Sequence, residues 1–101
     1  MPTRLELIPP GEILMEEFMR PLAISQAQLA RDLGVNAGRI AEIVHGRGAI
    51  SAELALRLST YFGTTPEFWL NLQSRFDLKL ARRNVGTEIE RSVTRLVTAG
   101  E

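Results

Sequence analysis

The chain has 101 residues, no cysteine, and 12 basic against 12 acidic side chains. This length supports one domain with a modest core, and the lack of cysteine excludes a disulfide framework and a thiolate metal site. Nucleic-acid-binding proteins commonly carry a positive excess. In this chain only residues 20–83 have a positive excess, with nine basic and five acidic side chains. The segments before and after them are net acidic. The charge therefore permits a nucleic-acid partner without requiring one.

The sequence contains no recognisable membrane-spanning or export segment. No apolar run is long enough to cross a bilayer, and residues 1–12 lack the apolar centre of a signal peptide. Residues 1–9 show no hydrophobic periodicity and are predicted to form a flexible arm. We expect a cytoplasmic protein that contacts no membrane.

The first predicted helix opens at Pro10-Gly11 and ends before Pro21. Its inward face consists of apolar side chains at helical spacing, namely Ile13, Leu14, Phe18 and Met19. The opposite face carries three carboxylates, which suit a solvated surface: Glu12, Glu16 and Glu17. A metal or acid–base site is disfavoured there, because no histidine or cysteine is near in sequence.

Residues 25–46 predict two short helices joined by a tight turn. Ser25 and Asn36 are suited to cap the two helices, and Gly34 tolerates the positive φ of the turn between them. The inward positions are apolar, and one small residue lets the helices cross closely; these positions are Leu29, Ala30, Leu33, Ile40 and Ile43. The joint pattern is typical of a helix-turn-helix. Two purely structural helices of an ordinary α-domain are the alternative.

The second helix of a helix-turn-helix enters the major groove of DNA through its first residues, while the first helix lies across the backbone. Arg39 is the candidate for reading a base, because its guanidinium can pair both acceptors of a guanine, and it can equally clamp a phosphate. Glu42 can accept from a cytosine amino group or pair with Arg39. The other candidate DNA-binding residues are Gln26 and Arg47 at phosphates, Asn36, Ala37 and Gly38 at the helix start, and His45. Two ligands, Glu42 and His45, do not make a zinc site.

Two further helices follow the helix-turn-helix. Ser51 and Gly63 bound the fourth predicted helix, and Thr65-Pro66 is a start signal for a fifth. Together the five helices form a predicted DNA-binding domain of residues 10–83. The fifth helix carries an apolar row that is either a dimer contact or part of the monomer core, and this row is Trp69, Leu72, Phe76 and Leu80.

Residues 84–101 are predicted to form a separate tail. Asn84-Val85-Gly86 breaks the helical pattern, and Thr87 with Glu90 forms a capping box that opens a short additional C-terminal helix. Such a short helix is stable only if another surface covers its apolar stripe, and we expect a partner chain to provide that surface. A frayed tail is the alternative. The stripe consists of Ile89, Val93, Leu96 and Val97.

Distinctive segments flank the helix-turn-helix: PPGEIL and EEF precede it, and ISAELALRLSTYFGTTPEFWLNLQ follows it. With these segments, roughly residues 8–83 resemble the HigA-type antitoxins, which are phage-repressor-like helix-turn-helix proteins. The resemblance implies an all-α, five-helix fold and a homodimer that represses its own operon at a palindromic operator. It also implies that the protein neutralises a HigB-type toxin, a small basic ribonuclease that cuts messenger RNA on the ribosome. Neither a cofactor nor an enzymatic activity is expected.

The resemblance also assigns site residues. The positions where repressor-like relatives contact DNA match Gln26, Asn36, Ala37, Gly38, Arg39 and Arg47. Ala37-Gly38 replaces a larger polar pair, so specificity would depend more on Arg39 and on the shape of the DNA. The acidic face of the first helix, formed by Glu12, Glu16 and Glu17, would suit a basic toxin electrostatically.

Two other functions fit the same residues. One is a free-standing regulator of the phage or plasmid type that binds DNA and has no toxin partner. The other is a protein-binding adaptor with a degenerate helix-turn-helix, which the zero net charge and the small Ala37-Gly38 pair leave open. An enzyme is disfavoured, because one histidine, no cysteine and no clustered acids offer no catalytic constellation.

Overall fold

The computed structural model describes residues 7–97, which form helices and their connections. The first helix, α1 (Pro10–Ile13), continues without a break as a π-helical segment, Leu14–Met19. The other helices are α2 (Gln26–Leu33), α3 (Ala37–Val44), α4 (Ala52–Phe62) and α5 (Pro66–Ser92). The predicted all-α fold is confirmed, with α2 and α3 as the helix-turn-helix. Residues 1–6 of the predicted arm and residues 98–101 lie outside the described residues.

The starts of α2 to α5 follow the predicted N-caps. The backbone N–H groups of Gln28, Gly38, Leu54 and Phe68 donate to the side chains of Ser25, Asn36, Ser51 and Thr65 over 2.6–3.2 Å. Between α2 and α3, Gly34 has a φ of 75° and donates its N–H to the carbonyl of Ala30 over 2.9 Å. This left-handed conformation is strained for residues with a Cβ, which explains the glycine.

The core lies where the helices meet. Its fully buried large side chains are Leu14, Met19, Leu29, Ile40, Ile43, Leu54, Leu58 and Trp69. An aromatic cluster closes one side of it, because the ring centroid of Phe18 lies 4.9 Å from that of Trp69 and 5.0 Å from that of Phe62. Such tilted pairs stabilise a core beyond the area that they bury.

Trp69 belongs to this core and not to a dimer contact. The indole is fully buried within the single chain, and its Nε1–H donates to Oγ1 of Thr64 over 2.7 Å. The interpretation of Trp69 as a dimer residue is therefore wrong, and the alternative, a place in the monomer core, is the one observed. Leu72 also packs against the core, whereas Phe76 and Leu80 are half-buried further along α5.

α1 and α3 are in backbone contact. Gly11 is buried where they meet, and a Cβ atom built at this position would overlap the carbonyl oxygen of Ile43. Glycine, which has no Cβ, is the residue that allows this approach. The contact places α1 directly behind α3, and no local pattern in the sequence predicts it.

The winding of the first helix widens after α1. In the π-helical segment, the N–H of Arg20 donates to the carbonyl of Met15, five residues earlier, over 2.9 Å. Leu14 and Met19 are also five residues apart, so this winding brings both onto one face, and both are buried in the core. The periodicity of the sequence predicted both as inward residues but not the wider turn.

α5 is one continuous helix, so the predicted break at Asn84-Val85-Gly86 and the separate C-terminal helix are wrong. A glycine inside a helix costs only about 0.5–1 kcal/mol relative to alanine. Thr87 does not act as a cap, because the turns before it already supply carbonyl acceptors to the N–H groups that a cap would satisfy. The predicted boundary between residues 83 and 84 falls inside α5.

The end of α5 also changes the predicted apolar stripe. The helix ends at Ser92, and Val93 has an extended backbone with φ −90° and ψ 123°. Ile89 therefore lies on the helix, whereas Val93, Leu96 and Val97 follow it and are exposed. These four residues do not form one helical face.

The second half of α5 extends beyond the core, and the described part of the chain measures 56 × 31 × 22 Å. The buried residues of α5 are Trp69 and Gln73, both in its first half. Beyond them lie three exposed apolar side chains, which we call the terminal stripe: Leu78 is 50% exposed, Val85 38% and Ile89 49%. Neither α5 nor any other described helix is long and apolar enough to cross a membrane.

Candidate nucleic-acid interface

The start of α3 is exposed and small. Asn36, Ala37 and Gly38 are all exposed, and Oδ1 of Asn36 accepts from the N–H of Gly38 over 2.6 Å. A Cβ atom at residue 38 would lie 2.9 Å from this same Oδ1, so a larger residue would displace the cap. Glycine at residue 38 therefore has a local cause, and with Ala37 it leaves the end of α3 narrow enough to approach the floor of a major groove.

Arg39 lies in the first turn of α3 and is half-buried. Its Nη2 donates to Oγ of Ser51, the N-cap of α4, over 2.8 Å. Glu42, which the sequence offers as another partner for Arg39, is exposed. The guanidinium is thus directed toward the start of α4, and its other N–H groups are available to a base or a phosphate.

Arg39 lines a surface groove of about 440 Å³, which we call the α3 groove. It is lined by Asn36, Gly38, Arg39, Glu42, Ile43, Gly48 and Ala49. The structure therefore brings Asn36, Gly38, Arg39 and Glu42 together around one hollow. The other predicted DNA-binding residues lie outside this lining: Ala37 at the start of α3, Gln26 at the start of α2, His45 at the end of α3, and Arg47 in the loop that follows.

His45 closes α3. Its Nδ1–H donates to the carbonyl of Ala41 over 2.7 Å, a role that follows from the carbonyl being an acceptor. The backbone N–H of His45 donates to the same carbonyl over 3.0 Å. At Nε2 only the imidazolium form offers an N–H to a phosphate. Within residues 7–97, no three histidine, aspartate or glutamate side chains cluster as metal ligands do.

The loop after α3, residues 46–50, is fixed by α5. The N–H of Ile50 donates to Oε1 of Gln73 over 2.8 Å inside the core, and Nε2 of Gln73 donates to Oδ1 of Asp77 over 2.9 Å. Sequence reasoning missed Gln73. A signal existed, since Gln73 stands one turn after Trp69 on the inward face, and a polar residue in such a place needs a fixed partner.

Two side chains of α4 hold the end of α2. Nη1 of Arg57 donates to the carbonyl of Leu33 over 2.8 Å, which satisfies an acceptor that the helix itself leaves open. The hydroxyl of Tyr61 donates to Oδ2 of Asp32 over 2.7 Å, and this hydrogen bond raises the pKa of Tyr61 above its ordinary value. Together they fix the turn from which α3 starts.

The predicted toxin-binding carboxylates lie along the first helix and are exposed. Glu12 is in α1, and Glu16 and Glu17 are in the π-helical segment. Glu16 forms an ion pair with Arg20, whose Nε lies 3.1 Å from a carboxylate oxygen. An exposed pair of this kind is weak, so all three carboxylates remain accessible to a charged partner.

The fold and the α3 groove define a helix-turn-helix protein, and a model of the helix-turn-helix family matches residues 15–69. The solved structure of the antitoxin GraA is 53% identical, with a TM-score of 0.88 over 90% of this chain and 98% of that one. GraA has also been solved in complex with its operator, with a TM-score of 0.86 over 91% of this chain and 93% of that one.

Two HigA proteins are also similar. Pseudomonas aeruginosa antitoxin HigA, solved with the higBA promoter, is 44% identical, with a TM-score of 0.86 over 89% of this chain and 98% of that one. Antitoxin HigA-1 of Vibrio cholerae serotype O1 is 40% identical over 67% of this chain and 64% of its own length. The chain spans just under two thirds of that relative. It belongs to the helix-turn-helix family, in the group of the HigA-type antitoxins.

Proposed function

We propose that this chain is an antitoxin and transcriptional autorepressor. As a homodimer it binds a palindromic operator in its own promoter, and it neutralises a HigB-type toxin, a ribosome-dependent mRNA endoribonuclease. The exposed start of α3, with Arg39 beside it, is the observation that carries DNA binding. Relatives at 53% and 44% identity, solved with operator or promoter DNA, support the same function.

The α3 groove offers few charged contacts to DNA. Among the described residues that line it, Arg39 is the one cation, and Glu42 is negative. One copy is therefore expected to bind a half-site weakly, because neutralised phosphates supply much of the affinity for DNA. A dimer that places two α3 helices about 34–36 Å apart on one face of the duplex supplies the missing affinity.

The terminal stripe is our proposed dimer contact. Its three apolar residues stand seven and four positions apart on α5, so they share one face beyond the core. Two of them, Leu78 and Ile89, border a hollow of about 300 Å³ whose other lining residues are Ala81, Arg82, Gly86 and Glu90. The small residues allow a second helix to approach. Arg82 and Glu90 have opposite charges, and a twofold axis can bring each opposite the other.

The acidic side of the first helix is our proposed toxin contact. A HigB-type toxin is basic, and Glu12, Glu16 and Glu17 are exposed along α1 and the π-helical segment. Charge complementarity of this kind mainly speeds association and selects the partner. The proposal therefore predicts an association rate that falls steeply as salt concentration rises.

A gel-shift experiment tests the proposed function. The probe is the duplex upstream of the chain's own gene, used with and without the product of the neighbouring gene, and a scrambled duplex of equal length is the control. We expect a shift of the upstream duplex only. In a separate translation reaction that contains ribosomes, we expect this chain to protect messenger RNA from the neighbouring product. A shift with no toxin nearby would favour the free-standing regulator. A folded protein that ignores its own promoter would favour the adaptor.

A further inference from the structure

The hydroxyl of Ser51 accepts two hydrogen bonds. One comes from the backbone N–H of Leu54 over 3.2 Å and caps α4. The other comes from Nη2 of Arg39 over 2.8 Å and joins α3 to α4. Capping alone explains a serine at this position, but it does not explain the bond to a guanidinium 12 residues away.

The backbone next to Ser51 is held by α5. The residue before it, Ile50, is buried and donates its N–H to Oε1 of Gln73 over 2.8 Å. Gln73 is buried as well, and its own side-chain N–H donates to Asp77. The hydroxyl of Ser51 therefore stands at a point fixed by the core, whereas Arg39 has a long side chain with many rotamers.

We propose that Ser51 is a specificity-determining positioning residue, which holds the Arg39 guanidinium at the α3 groove before DNA binds. The inference rests on the proposed operator binding. An unrestrained arginine reaches several phosphates and base edges, and ordering it on binding reduces affinity. An arginine held at one point is pre-organised for one base pair, because its other N–H groups remain available to the acceptors of that pair.

The test measures sequence preference rather than affinity alone. Selection from random duplexes, run with the wild-type chain and with Arg39→Ala, identifies the base pair at which Arg39→Ala loses preference. Fluorescence anisotropy then gives the ratio of affinities for the preferred and the other bases at this pair, for wild type, Ser51→Gly, Arg39→Ala and the double variant. Glycine is tolerated as an N-cap, so Ser51→Gly removes the hydroxyl with little loss of helix stability.

We expect the ratio to fall about threefold to tenfold in Ser51→Gly, and to fall no further in the double variant than in Arg39→Ala. Ser51→Thr keeps a hydroxyl acceptor and should retain the wild-type ratio. Thr65→Gly is the matched control, because it removes the cap hydroxyl of α5, which accepts from Phe68 over 3.1 Å. Its ratio should equal that of wild type.

An unchanged ratio in Ser51→Gly would overturn the inference. So would an equal loss of affinity on every duplex, which indicates a direct phosphate contact by Ser51. A further fall in the double variant would also overturn it, since Ser51 would then act without Arg39. These outcomes leave the proposed function intact. A wild-type chain that selects no sequence would contradict operator binding, and this inference with it.

Discussion

Hydrogen bonds within the protein occupy some polar groups around the α3 groove and leave others to a ligand. Oδ1 of Asn36 accepts from the N–H of Gly38, and one N–H of Arg39 donates to Ser51. An arginine has several further donors in a planar arrangement. Arg39 can therefore keep its place in the protein and still offer N–H groups to a base edge, which is why we propose it as the residue that reads the sequence.

Arg39→Ala should weaken operator binding by about 1–3 kcal/mol and relax the preference at one base pair, because a bidentate contact to guanine is lost. Fluorescence anisotropy with duplexes that carry every base at every position measures both effects. Arg47→Ala is the matched control, since a phosphate contact has no sequence preference. It should lower affinity about equally on every duplex and make the salt dependence shallower. An unaltered preference in Arg39→Ala would contradict the role of Arg39.

Gln73→Leu should reduce the free energy of unfolding by about 1–3 kcal/mol, because the buried N–H of Ile50 loses its acceptor. Urea denaturation measures the change as a lower midpoint at constant slope. Asp77→Asn is the control, because its amide oxygen can still accept from Nε2 of Gln73. It should change the free energy of unfolding by less than about 0.5 kcal/mol. Equal midpoints for Gln73→Leu and Asp77→Asn would show that the buried hydrogen bond has no net effect.

At the scale of the helices, a few close contacts add to the shared core. α1 meets α3 through Gly11, and the π-helical segment places Phe18 in the aromatic cluster. α4 fixes the end of α2 through Arg57 and Tyr61. The contacts of Gly11, Arg57 and Tyr61 each join a neighbouring helix to the helix-turn-helix, so the position of α3 depends on α1 and α4 together.

Gly11→Ala should destabilise the fold by about 1–3 kcal/mol or more, because the added methyl group overlaps the carbonyl oxygen of Ile43 and forces α1 away from α3. Thermal and urea denaturation measure the loss. Glu12→Ala, at the adjacent exposed position, is the control and should stay within about 0.5 kcal/mol of wild type. A Gly11→Ala variant as stable as Glu12→Ala would mean that α1 does not contact α3 so closely.

The sequence predicted those features that depend on neighbouring residues. Caps at Ser25, Asn36, Ser51 and Thr65, the turn at Gly34 and the inward apolar faces are all local, and the structure has them. The break that Asn84-Val85-Gly86 and the capping box at Thr87 predicted is absent, because a glycine inside a helix costs only about 0.5–1 kcal/mol relative to alanine and the preceding turns already supply acceptors. The bonds from Arg39 to Ser51 and from Ile50 to Gln73 join residues 12 and 23 apart, so no local pattern contains them.

At the scale of the whole molecule, α5 joins two regions with different surroundings. Its first turns are packed in the core through Trp69, and its later turns, from Leu78 onward, carry the terminal stripe into solvent. An exposed apolar row on a projecting helix favours association, because burying it removes apolar surface from water. The core and the proposed dimer contact therefore lie on one helix but do not overlap.

Val85→Glu should convert the dimer to a monomer without unfolding it, because a charge would be buried in the proposed interface. Light scattering measures the mass, and circular dichroism checks the helix content. Leu56→Glu is the matched control, since Leu56 is a leucine of α4 that is 56% exposed and lies away from the terminal stripe. It should leave the mass unchanged. A Val85→Glu protein that stays dimeric would contradict the terminal stripe as the dimer contact.

A continuous helix fixes both the distance and the relative orientation of the parts of the protein at its two ends. α5 is helical throughout, from the core to the terminal stripe, so two copies paired along that stripe hold their α3 helices at an angle that the backbone determines. A joint at Asn84-Val85-Gly86 would tolerate operators with different numbers of base pairs between their halves. A stiff connection tolerates one separation, since each added base pair turns the far half-site by about 35° around the duplex axis. The central length of the operator is then constrained as strongly as its outer sequence.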